Sequence, residues 1–168
     1  MPSRVLKIID ISFLKWLIGF FTVIIIQISI LRYFALVFVP NTPIQPDLVL
    51  LFLFFFGIRH SQIVSTLMGF GVGFLLDALG GGMLGLHALT KTVAGFIIGY
   101  IPEAHKIQKM AQFCLFLFIV NILHDLLYNT IYIIHTELSF WQLLFKYSLS
   151  SCLYTVFIGC LIFYGLRR

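Results

Sequence analysis

Charge is what this sequence has least of. Only 10% of its 168 residues are Asp, Glu, Lys or Arg, while 61% are hydrophobic. A water-soluble domain carries about a quarter charged residues. A chain this short also has too much surface for its volume to hide so much apolar material from water. The composition therefore excludes an ordinary soluble domain and points to lipid as the solvent. Cysteine is scarce too. Cys114, Cys152 and Cys160 all lie inside apolar runs, with no CxxC and no Cys/His cluster at metal-ligand spacing. They read as small apolar fillers, and no metal or other cofactor is expected. Six acidic residues stand against eleven basic ones, a net charge of +5. Nucleic acid is excluded as the partner, because the basic residues form no patch or stripe and sit instead at the ends of apolar runs.

Catalytic signatures are missing as well. Neither GxSxG nor HExxH occurs, and the Ser and His candidates fall on different apolar runs. "GFGVGF" at 69–74 lacks the last glycine of a dinucleotide fingerprint and lies within an apolar run. An enzyme is not expected.

Long apolar runs are what the chain has in abundance. A membrane-crossing helix needs about 20 such residues. Six candidates occur, at about 16–38, 47–58, 63–79, 83–101, 111–134 and 140–166. The second would rise only about 18 Å, so it is expected to lean on thinned lipid or to insert halfway. Arg4 and Lys7 ahead of the first run look like the start of a signal peptide. That run is about twice the length of a signal core, however, and no small-x-small site follows it, so it reads as a retained span. Trp16 and Trp141 stand near span ends, where interfacial tryptophans belong, and Arg32 and Lys146 are placed to snorkel.

The connections carry turn chemistry. Three of the five prolines fall in 40–46 and stop a helix there. Asp47, directly after Pro46, suits a helix start, an acid at the positive end of the dipole. "IRHSQ" and "GGGM" read as turns, "PEAHKIQK" and "HTELS" as polar loops. With the N-terminus inside, the cytoplasmic segments hold Arg4, Lys7, Lys15, Arg59, Lys106, Lys109, Arg167 and Arg168, eight of the eleven basic residues, and loops 40–46, 80–82 and 135–139 hold none. The positive-inside rule then puts both termini in the cytoplasm. The expected fold is all-α: one polytopic domain over 1–168 with six transmembrane helices, the second one short.

Nine of the thirteen glycines fall in 69–100, beside Asp77, His87 and Lys91. Every fourth residue of the third span reads Ser61, Ser65, Gly69, Gly73, Asp77; the fourth span reads His87, Lys91, Gly95, Gly99. Residues four apart share a helix face. Two smooth faces joined by a short turn are expected to pack closely, the usual association device in lipid, with the glycine ends meeting and the polar ends coinciding. A lone Asp or Lys at mid-membrane costs about 2.5–3.5 kcal/mol. Asp77 is therefore expected to pair with Lys91 or to bond His87, with Asp125 as competing partner. The fifth span carries a stripe of Asn121, His124, Asp125, Tyr128 and Asn129, expected to face the interior. His124 and Asp125 are sequence neighbours and are expected to point apart.

The stretch "QPDLVLLFLFFFGIRHS" followed by "GFGVGFLLDALGGGMLGLHALTKTVAGFIIGY" resembles the MreD family of bacterial rod shape-determining membrane proteins. The residues carrying the match are Pro46 and Asp47 opening an apolar run, Gly69, Phe70 and Gly73 before Asp77, then Gly85, His87, Gly95 and Gly99. The resemblance implies a scaffold with no known enzymatic activity in the complex that directs lateral wall synthesis (peptidoglycan elongation) at the bacterial inner membrane. It implies a direct partner, the single-span protein MreC, and a wider assembly with the actin-like MreB, RodA and a class B penicillin-binding protein. It also implies a fold like that of the S components of energy-coupling vitamin transporters. A vitamin-binding S component is the rival reading. Short outer loops speak against it, since they leave little to build an outer pocket.

Overall fold

The computed structural model describes residues 11–29, 36–39, 42–80, 83–100, 109–133, 141, 145 and 148–166. Among these residues the helices are α1 (Ile11–Ser29), α2 (Leu48–Gly57), α3 (Gln62–Gly80), α4 (Leu86–Tyr100), α5 (Met110–Ile133) and α6 (Leu149–Leu166), and the fold is all-α apart from one small ribbon. That ribbon pairs β1 (Leu36–Val39) with β2 (Thr42–Ile44) antiparallel. The apolar run 16–38 is thus not one helix. Its helical part starts earlier and ends at Ser29, and its last residues form β1. Val37, Phe38 and Val39 suit an extended chain ahead of the proline-rich sequence. Arg32, Lys146 and the loops 101–108 and 134–140 lie outside the described residues, as do Gly81 and Gly82.

The short helix α2 forms the centre of the bundle. Every position of its sequence LVLLFLFFFG is apolar, and Val49, Leu50, Leu51, Leu53, Phe54, Phe55, Phe56 and Gly57 are all buried. A helix that is hydrophobic all round belongs in an interior. Its rise of about 15 Å is no defect there, because helices and not lipid surround it. Phe20 and Ile24 of α1, Met68 and Val72 of α3, Ile98 of α4 and Phe113 and Leu117 of α5 complete the same core. Trp16 and Phe20 meet Phe52 and Phe56 edge to face, with ring centroids 4.7–5.6 Å apart.

The molecule is apolar on the outside too. Leu67, Phe70 and Phe74 on α3 and Leu89, Val93 and Phe96 on α4 are exposed at three- and four-residue spacing. A contiguous apolar flank of that kind is untenable in water and ordinary against lipid. Two of the described helices, Gln62–Gly80 and Met110–Tyr132, are long and apolar enough to cross a membrane. Further apolar stretches are Leu14–Ser29 in α1 and Leu149–Gly165 in α6.

Helices α3 and α4 pack as an antiparallel hairpin at backbone contact. A methyl group added to Gly69 would run into the Lys91 carbonyl, one on Gly73 into the His87 carbonyl, and one on Gly95 into the Ser65 carbonyl. On Gly99 it would lie 2.6 Å from the Gln62 Cα. The glycines do not meet one another, as the two smooth faces suggested. Each faces a non-glycine backbone, so every turn of the crossing has one glycine on one side or the other. One missing Cβ per turn is enough for close approach, and the offset spreads the small residues along the whole seam.

Candidate functional site

Two carboxylates organise the polar end of this bundle, and each holds the start of a helix. Asp77, at the end of α3, is 2% exposed. Its Oδ2 accepts from the backbone N–H of Gly85 (3.0 Å) and Ala88 (2.9 Å), and its Oδ1 from the N–H of His87 (3.0 Å). These are amides at the start of α4, which have no partner inside their own helix, and the carboxylate also meets the positive end of the dipole. Gly85 has φ +94°, the left-handed region that glycine enters without strain, and its amide thereby reaches Asp77. The expected ion pair of Asp77 with Lys91 is not formed. Nor does Asp77 bond the His87 ring; it takes that residue's backbone amide. Three orphan amides satisfy a carboxylate at shorter reach than a lysine further along α4.

Lys91 pairs with Asp47. Its Nζ lies 2.5 Å from Asp47 Oδ2, with the lysine side chain 0% exposed and the aspartate 18%. Asp47 Oδ1 caps α2 by accepting from the Leu50 N–H at 2.7 Å. The remaining groups at this junction are pinned from two further sides. Gln27 of α1 donates to the Pro46 carbonyl and accepts from the Leu48 N–H. The Asp47 N–H donates to Thr155 Oγ1, and Ser151 Oγ donates to the Gln45 carbonyl, both from α6. The start of α2 is therefore tied to α1, α4 and α6 at once.

The stripe on α5 is brought to the same place. Asn121 and His124 are buried, and Asp125, Tyr128 and Asn129 half-buried. His124 and Asp125 do not point apart: Nδ1 of the histidine lies 3.0 Å from Oδ1 of the aspartate, so Asp125 binds neither Asp77 nor Lys91. Asn129 donates to Ser148 Oγ at 2.5 Å. Tyr128 lies against His87, ring centroids 4.9 Å apart. Together Gln27, the 45–47 turn, His87, four residues of the α5 stripe (His124, Asp125, Tyr128 and Asn129), Ser148 and Ser151 line a cavity of about 340 Å³. Short loops did not prevent it, because its walls are helix ends. Among the described residues, buried polar atoms without a partner remain on His87 (Nδ1), Asn121 (Nδ2 and Oδ1), His124 (Nε2) and Asp125 (Oδ2). Each such atom costs about 1–3 kcal/mol.

Pro46, Asp47, Asp77, Gly85, His87 and Lys91 thus converge on the helix starts, whereas Gly69, Gly73, Gly95 and Gly99 make the seam. Phe70 belongs to neither. It is 53% exposed and stacks on Phe74 on the outer flank. Sequence reasoning passed over Gln27, Ser148, Ser151 and Thr155. Their only signal was polarity inside apolar runs, as in VIIIQIS. Cys114 and Cys160 face one another between α5 and α6 with Cα atoms 6.5 Å apart, within disulfide reach; Cys152 is buried alone.

A family model described as rod shape-determining protein MreD matches residues 11–163. The chain belongs to the MreD family. The match takes in α1 to α5 whole and α6 as far as residue 163, the Asp47–Lys91 pair and the Asp77 cap included. Nothing among curated proteins or solved structures matches the chain. Membership makes this a membrane protein with a role in rod shape determination, in a family of structural proteins not known as enzymes.

The Asp77 cap has a measurable consequence. Asp77→Ala leaves three amides unmet and is expected to lower stability by about 2–3 kcal/mol, whereas Asp77→Asn keeps an acceptor and should cost about 1 kcal/mol. Thermal unfolding of the detergent-solubilised protein checks this. Equal unfolding temperatures for wild type and Asp77→Ala would show that the cap does not hold α4.

Proposed function

We propose that this protein is a non-enzymatic, multi-pass scaffold of the bacterial inner membrane that binds MreC and helps maintain rod shape by placing peptidoglycan synthesis. The observation carrying the proposal is the family match over 11–163. The structure lends support through its build. A hairpin locked at backbone contact, a central helix tied on three sides and a long apolar flank suit a rigid platform against which another helix can lie in lipid. Phe70, one of the residues carrying the family resemblance, points outward onto that flank. MreC is the direct partner in this reading, and MreB, RodA and a class B penicillin-binding protein belong to the wider assembly. Both termini are assigned to the cytoplasm from the basic residues at the span ends.

A second reading, the substrate-binding S component of an energy-coupling transporter, has the polar cavity in its favour. Affinity purification of the tagged full-length protein from its native membrane separates the two. Recovery of MreC, together with rounding of rods on depletion, is the expected result. Recovery of a cytoplasmic ATPase pair, with rods unchanged on depletion, would overturn the scaffold reading in favour of the carrier.

A further inference from the structure

We propose that the polar cavity is a binding site for a small, hydroxyl-rich, sugar-sized molecule that carries no negative charge. The inference goes beyond the scaffold reading and does not depend on it.

Three observations converge. The first is size. A volume of about 340 Å³ sits at the small end of the range for ligand sites, about 300–1,000 Å³, and accommodates one hexose-sized ring. The second is unmet hydrogen bonding. His87, His124 and Asp125 all line the cavity, and each carries a buried polar atom with no partner among the described residues. His124 is only 5% exposed. With Nδ1 turned to Asp125, its Nε2 is left facing away from that partner. Asp125 Oδ2 accepts only, so the missing partner must donate. Neutral histidine adds a second acceptor. A molecule rich in hydroxyl groups supplies donors to both and accepts from the amides of Gln27 and Asn129. The Tyr128 ring, tilted against His87, gives a flat apolar wall of the kind that a sugar face covers.

The third observation is charge. Asp47 and Asp125 line the cavity, and Lys91, the cation beside it, is already paired with Asp47. Among the described residues no lysine or arginine lines the cavity. Among those residues a phosphate or carboxylate group would meet carboxylates, which disfavours anions by like-charge repulsion in a poorly screened site. A second cavity of about 180 Å³ lies beyond His87 and Tyr128, which line both. The pair therefore forms the shared wall.

The test uses full-length protein in lipid nanodiscs, with thermal unfolding followed in the presence of glucose, glucosamine or glucose 6-phosphate. The three probes share one ring and differ in charge. At ten times a millimolar Kd, glucose or glucosamine is expected to raise the unfolding temperature by about 3 °C, and glucose 6-phosphate to leave it unchanged. Asp125→Asn removes the unmet charge while keeping the shape. It is expected to abolish the response and to raise the unfolding temperature of the free protein, since a binding site keeps its unmet group at the expense of stability. A purely structural Asp125 would give the opposite basal change. Tyr128→Phe, which keeps the wall and removes one hydroxyl, serves where Asp125→Asn does not fold, and is expected to weaken the response. No shift with any probe, or an equal shift with glucose 6-phosphate, overturns the proposal and leaves MreC recovery unaffected.

Discussion

Gly73→Leu is expected to prevent accumulation of folded protein, while Gly71→Leu is expected to be tolerated. The two positions lie on one helix, two residues apart, in the same apolar sequence. They differ only in what a side chain would meet. At Gly73 the first added carbon collides with the backbone of His87 and Ala88, whereas at Gly71 nothing lies within 4 Å. Backbone cannot swing aside as a side chain can, so α3 and α4 must part. That separation exposes the Asp77 cap and draws Lys91 away from its place against Asp47, so the loss should exceed about 3 kcal/mol, the upper end of ordinary overpacking. Gly71→Leu adds a lipid-facing side chain of better helix propensity and should change stability by no more than about 0.5 kcal/mol. The yield of monodisperse protein and its unfolding temperature report both. Similar behaviour of the two variants would mean that the seam is not the close contact described.

The partnership of α3 and α4 was legible because it is written locally. Four-residue spacing fixes which residues share a face, and a short turn makes the two helices neighbours. The offset that sets each glycine against a non-glycine backbone was not legible, since periodicity defines a face and not a register. α2 shows a different limit. Its all-apolar sequence announced burial, but its length drew attention to the bilayer instead of to the surrounding helices. The polar cavity was beyond reach for a third reason: its walls come from five separate stretches of chain, each offering one to four polar residues that look unremarkable alone. The same holds for the ion pair. Asp77 is much nearer than Asp47 to Lys91 along the chain, yet it serves the amides at the start of α4, and the lysine reaches instead across 44 residues to Asp47.

Lys91→Met is therefore expected to be damaging through Asp47. The substitution preserves the length and apolar stem of the side chain, and it strands a carboxylate that is 18% exposed. Removing one partner of a buried pair costs about 3–5 kcal/mol. The lower end applies here because Asp47 keeps the Leu50 N–H on its other oxygen. Asp47→Asn strands the fully buried lysine and should be at least as harmful. The double variant carries no stranded charge and retains a side chain that can still cap α2. It is expected within about 1 kcal/mol of wild type, because the charge and its partner leave together.

The double-mutant cycle between Lys91→Met and Asp47→Asn, set beside one between Lys91→Met and Asp77→Asn, tests the central claim that Asp47 neutralises Lys91 while Asp77 holds the start of α4. Measured by unfolding in one detergent, the first cycle is predicted to show a coupling of at least about 2 kcal/mol, and the second to be additive within about 0.5 kcal/mol. Strong coupling of Lys91 to Asp77, with additivity at Asp47, would contradict the account.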